Sequence, residues 1–223
     1  TQRQLSLKKE INQNKIKMIT SKHLVQEEPR IIELGKGENT DAFYVYVKGN
    51  VLLSTDELKE AIKCANESLG VVVNSSGEYV WMRARKSLQP AFKGLSVNEF
   101  DKTENGIVQS VSALLNYKEA GLSVKDHIAA GETPKSILEK TLKDCTVIDV
   151  SGLSVDEVIF YVSEGAPVFV MTGTDSAVLI TGYSSSVVYY FEPLSGATKS
   201  LSYEQAEELF KAAGSVFFTY LDE

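Results

Sequence analysis

The sequence is short of the residues that most catalytic and metal-binding sites are built from. It has two cysteines, Cys64 and Cys145, and two histidines, His23 and His127, in 223 residues. The cysteines offer neither metal-ligand spacing nor a disulfide framework, and they fit a secreted bacterial protein and a cytosolic one equally well. Walker A, HExxH and dinucleotide-binding patterns are missing too, so neither a metal nor a cofactor is expected. No apolar run approaches the roughly 20 residues of a membrane-spanning helix. The chain opens on Thr1 rather than Met, which reads as a processed or trimmed product whose upstream signal or anchor would have been removed.

What is present is an ordinary globular composition, long enough for one or two domains with a sizeable core. The net charge of −7 is unevenly spread. Residues 1–22 carry six Lys or Arg against one acid, whereas residues 99–223 carry nineteen acids against eight bases. An acidic C-terminal part argues against nucleic acid as a partner, because phosphate binding needs a basic face. The basic start (Arg3, Lys8, Lys9, Lys15, Lys17, Lys22) reads as a solvated linker or helix, with proximity to a membrane surface as the alternative.

Residues 1–40 are polar, lack a strong period and read as an arm or linker. Residues 41–86 form a small ββαββ module. Strands at Phe43–Val47 and Val51–Leu53 flank a Lys48-Gly49-Asn50 turn, and Ser54 or Thr55 caps a helix with Leu58, Ala61, Ile62 and Ala65 on one face. Gly70 closes that helix, Val71–Val73 and Tyr79–Trp81 form a second hairpin, and Cys64 reads as a buried, inert thiol. Arg83, Arg85 and Lys86 are a short basic tail. Residues 87–97 read as a linker, and 98–223 as a second domain.

In that domain a helix over 107–117 ends at Gly121. A short segment after Ser123 and a helix from Thr133-Pro134 follow. Then come a strand at Val147–Val150 and a helix capped by Ser154. Strands are expected at Val168–Met171, Ala177–Thr181 and Val187–Phe191, with Gly182-Tyr183 and Ser184–Ser186 as the turn between the last two. Thr198–Leu201, a helix over Tyr203–Ala212 and a strand at Val216–Tyr220 complete it. Helices first and a mostly antiparallel sheet after them give an α+β class.

The stretch Glu164–Gly196 resembles the C-terminal half of the C39-like peptidases, cysteine proteases of papain-like fold. In that family the second strand opens with the catalytic His, and an Asp-Pro step follows sixteen residues later. Here those positions hold Ser176 and Glu192-Pro193. The family's nucleophile sits in a Cys-Gly step at the start of a Ser/Thr-rich helix ending near a Tyr; here the step is Asn105-Gly106, and the helix runs to Tyr117. The oxyanion-hole Gln, about six residues before the Cys, corresponds to Glu99. A carboxylate repels a developing oxyanion instead of donating to it.

The resemblance therefore implies a papain-like C39-type domain whose nucleophile, base and oxyanion donor are replaced. It would hold a peptide or protein partner in the former substrate groove, with Asn105, Gly106, Gln109, Asp175, Ser176 and Glu192 lining it, at a bacterial cell surface. Asn105, Ser176 and Glu192 are expected in one cleft, although Asn105 is most simply an N-cap. Two other readings stand beside this one: a hydrolase using Cys145 or Ser176 with His127, and a purely structural role in surface assembly. An open groove between the helix at 107–117 and the strand at 177–181 favours binding, and a filled one the structural role.

Overall fold

The computed structural model describes residues 42–99 and 101–222, so expectations for residues 1–41 lie outside the described residues. The chain divides into two compact units, up to Arg85 and from Lys86 onward. It is a mixed α/β protein with antiparallel sheets and, among the described residues, six α-helices.

In the first unit, strands β1 (Phe43–Val47), β2 (Asn50–Thr55), β3 (Val71–Asn74) and β4 (Tyr79–Met82) pair antiparallel in the order β2-β1-β3-β4. Helix α1 (Leu58–Ser68) lies against the sheet and buries Ala61, Ile62 and Ala65. Two details of its ends differ from expectation. Thr55 is still in β2, and its Oγ1 accepts the Glu57 N–H at 3.2 Å, so Glu57 becomes the N-cap without a side-chain bond of its own. At the other end Leu69, not Gly70, takes the left-handed conformation (φ 57°). Gly70 is needed for space: a Cβ there would lie 2.7 Å from the Tyr46 carbonyl oxygen. Arg83 is no free tail, because its guanidinium donates to the Asn66 carbonyl at 2.6 Å and to the Asn66 side chain. Cys64 is only half-buried.

The second unit starts with a 3-10 turn (Asp101–Thr103) and helices α2 (Gly106–Tyr117), α3 (Val124–Ala129) and α4 (Pro134–Thr141). Thr133 and Pro134 open α4 as expected, the Thr133 hydroxyl accepting the Ser136 N–H. The Gly121 expectation fails: α2 ends at Tyr117, and the left-handed residue is Glu119 (φ 54°). Next come β5 (Cys145–Asp149), α5 (Val155–Ser163), β6 (Val168–Met171), β7 (Ala177–Tyr183), β8 (Val187–Glu192), β9 (Ala197–Ser202), α6 (Tyr203–Ala212) and β10 (Phe217–Asp222). The six strands are antiparallel in the order β5-β10-β6-β7-β8-β9.

Every residue of β7 is buried, as in a strand covered on both faces. Ala177 and Leu179 share a core with Phe169, Phe191 and Tyr220 under α2 and α4. On the opposite face Phe210 of α6 meets Phe217 edge-on, with centroids 5.9 Å apart. The N-terminus of α5 is closed by two carboxylates. Glu157 accepts from the Ser154 N–H (2.7 Å), and Glu207 of α6 accepts from the Val155 N–H (2.8 Å).

Gly182 and Tyr183 belong to β7 rather than to a turn, and Ser184–Ser186 alone reverse the chain. The glycine serves the segment before α2. Gln89 and Tyr183 exchange backbone hydrogen bonds of 2.8 and 3.0 Å, and the Phe92 N–H donates to the Thr181 carbonyl. Residues expected to be a linker thus extend the sheet beyond the end of β6. Lys86, at their start, pairs with Asp156 (2.7 Å) and lies 3.9 Å from the centroid of the Tyr203 ring. A Cβ on Gly182 would sit 2.7–2.9 Å from backbone atoms of Gln89 and Ala91. Gly182→Ala should therefore cost about 1–3 kcal/mol in denaturant unfolding, as overpacking does. Gly121→Ala, at a site with open space around it, should change stability little.

Candidate functional site

The start of α2 meets the start of β7 at close range. The Gly106 N–H donates to the Asp175 carbonyl at 3.0 Å, and the Ser110 hydroxyl donates to the Ala177 carbonyl at 2.7 Å. A Cβ on Gly106 would lie 3.0 Å from the Ser176 Cα and from the Ala177 nitrogen. Only a glycine followed by small side chains lets the helix approach this closely. Positions 105 and 176 are thus brought together, as the resemblance implied.

Their side chains are engaged in local structure. The Asn105 carboxamide accepts the Val108 N–H at 3.0 Å and caps α2. Ser176 closes a turn in which its carbonyl accepts the Thr172 N–H. Its Oγ hangs over Gly173, 2.7 Å from where a Cβ on that glycine would be. Glu192 lies on the neighbouring strand, just after Phe191, which faces Leu179 of β7. Its carboxylate accepts from Ser195 Oγ at 2.6 Å and pairs with Lys199, and among the described residues no hydrogen bond ties it to Asn105 or Ser176. The carboxylate is instead held on its other side by the cation that β9, the next strand, offers it. Glu99 is exposed and paired with Lys102.

The remaining groove candidates divide by burial. Gln109 is fully buried, its amide donating to the Lys102 and Glu104 carbonyls, and Gly106 is packed against β7. Neither can line an open groove, which corrects their expected role. Asn105 and Asp175 remain exposed.

The alternative nucleophiles have other partners. The His127 Nδ1 lies 3.0 Å from Glu132 Oε1, and Glu132 also accepts from Lys140 at 2.8 Å. The Cys145 thiol donates to Asp222 Oδ1 at 3.2 Å, an oxygen that Lys118 also holds at 2.7 Å. No hydrogen bond among the described residues joins His127 to Cys145 or Ser176. The pairing of β5 with β10 brings Asp222 to Cys145, and Lys118 interacts with both the carboxylate and the thiol. Burial and then the Asp222 carboxylate push the thiol pKa up, outweighing the opposing pull of Lys118. Lys118 and Asp222, like Lys199, left no signal in the sequence, since their proximity depends on strand register.

No protein-family model and no curated protein matches the chain. Among solved structures it is similar to one from Bacillus anthracis described as a candidate C39-like peptidase. That similarity has 16% sequence identity and a TM-score of 0.47, and it covers 60% of this chain and 94% of the other.

Two measurements check this electrostatic picture. Cys145 in the folded protein should label slowly with iodoacetamide at neutral pH; Asp222→Asn should speed labelling and Lys118→Met should slow it. The Glu192 carboxyl is held below its usual range by Lys199 first and Ser195 second. Its stabilising contribution is complete above the ordinary carboxylate value of about 4.3 and fades as pH falls through its lower folded value. In Lys199→Met, the NMR titration of Glu192 should move up toward that ordinary value.

Proposed function

We propose that the second unit is a non-catalytic, papain-like domain of C39 type, and that the chain acts by holding a peptide or protein partner. The observation that carries this reading is the junction at positions 105 and 176. The positions that the resemblance assigns to nucleophile and base hold an amide engaged as a helix cap and a hydroxyl without a basic partner among the described residues. An unactivated serine hydroxyl is a poor nucleophile, and an amide offers no thiolate. Glu99 would oppose an oxyanion where the family has a donor. The surface left for a partner is the exposed rim of Asn105 and Asp175 above the start of α2. A bacterial cell surface is the proposed location.

The close packing of α2 on β7 favours the second reading, a structural role in assembly. Gly106, Ser110 and the shared core pack the contact between helix and strand closely. The two readings part at the rim. Substitution of Asn105 and Asp175 abolishes partner binding under the first and leaves assembly intact under the second.

The catalytic part is tested by rebuilding. The wild-type chain should cleave no peptide substrate. In Asn105→Cys combined with Ser176→His, the introduced thiol should titrate well below about 8.5, as a thiol at a helix start beside an imidazole does. Turnover should stay low until Glu99→Gln is added, since one missing oxyanion donor costs roughly 100- to 1,000-fold. A thiol pKa near 8.5 would show that the two side chains do not meet. Peptidase activity of the unmodified chain, lost in His127→Ala, would reject the non-catalytic reading.

A further inference from the structure

We infer that the first unit pairs with a second copy of this chain through β2, edge to edge and antiparallel about a two-fold axis. β2 is an outer strand of its sheet among the described residues. Sheet edges are commonly guarded by charge or proline; β9 carries Lys199 and β5 carries Asp149, whereas the β2 sequence NVLLST has neither. Val51 and Leu52 on it are 51% and 57% exposed, among the largest exposures of apolar side chains in the unit. The register skips Leu52, because Val45 faces Leu53 and Tyr46 faces Val51. That bulge shortens the stretch able to accept another strand, which favours a closed pair over an open stack.

The occupant is chosen by charge. Between β2 and α1 lies an open concavity of about 640 Å³, with Leu53 and Cys64 at its apolar part; Glu60, held by the Thr55 hydroxyl, lines it together with Glu57, Lys59, Lys63 and Glu67, the four charged groups left over. None of these four charged groups makes an ion pair among the described residues. In an isologous contact each residue near one end faces one near the other. The ends of the stripe Lys59, Lys63, Glu67 are of opposite sign and so complementary, with Lys63 at the axis between them. Two antiparallel α1 helices bring Lys59 of each copy toward Glu67 of the other, twice per dimer. The same operation covers Val51 and Leu52 and satisfies the outward backbone groups of β2. This inference concerns the first unit and does not depend on the role proposed for the second.

The full chain should be a dimer by sedimentation equilibrium at micromolar concentration. Leu52→Lys should make it monomeric, with its far-ultraviolet circular dichroism unchanged. Lys59→Glu and Glu67→Lys should each raise the dimer dissociation constant at least about tenfold, equivalent to roughly 1.4 kcal/mol. The double variant, which reverses both charges, should recover most of that loss. A wild-type monomer overturns the inference, whether hydrogen exchange then finds the β2 amides open or covered by the chain's own residues. So does a dimer indifferent to Leu52→Lys, or charge reversals that add where they should cancel.

Discussion

The second unit depends on the distance at which α2 can approach β7. Gly106 removes a side chain where the strand begins, and Ser110 turns what would be a buried carbonyl at Ala177 into a hydrogen-bonded one. Leaving that carbonyl unpaired would cost about 1–3 kcal/mol. The helix is buried over Val108–Leu115, so it cannot rotate to present another face without exposing core. Closeness here sets what can stand at positions 105 and 176.

Much of the architecture was legible in the sequence because local signals and tertiary packing agree. α6 falls on the expected residues, where Ser202 and Gln205 form a reciprocal cap. The β7 run of apolar residues marks a strand buried on both faces. The errors share a cause. Gly70, Gly121 and Gly182 were read as punctuation, yet Gly70 and Gly182 are there for clearance from backbone on a neighbouring segment. A glycine kept for space and one kept for a left-handed turn look alike in a single sequence.

The site was legible to a lesser degree. The juxtaposition of 105 with 176 was expected from the resemblance, and both lie within a few residues of well-marked element starts. The ion pair of Glu192 with Lys199 left no such signal, because it is set by the register of β8 on β9. Burial of Gln109 also escaped notice: on a helix enclosed nearly all round, a polar residue is no guide to the solvent side. The Lys118–Asp222–Cys145 cluster joins three parts of the chain that only the completed sheet brings together.

The place of β10 in the sheet has a consequence for how the unit is made. It lies between β5 and β6, both of which precede it in the chain. While the polypeptide is being synthesised, β5 has no neighbour and β6 keeps an open side until the last strand has left the ribosome. The hairpins from β6 to β9 can form early from contacts close in sequence. Closing the sheet must wait for a contact between distant segments, the kind that slows folding. During that interval the half-built sheet exposes the apolar sequence of β6, VFVM, to any other nascent chain nearby.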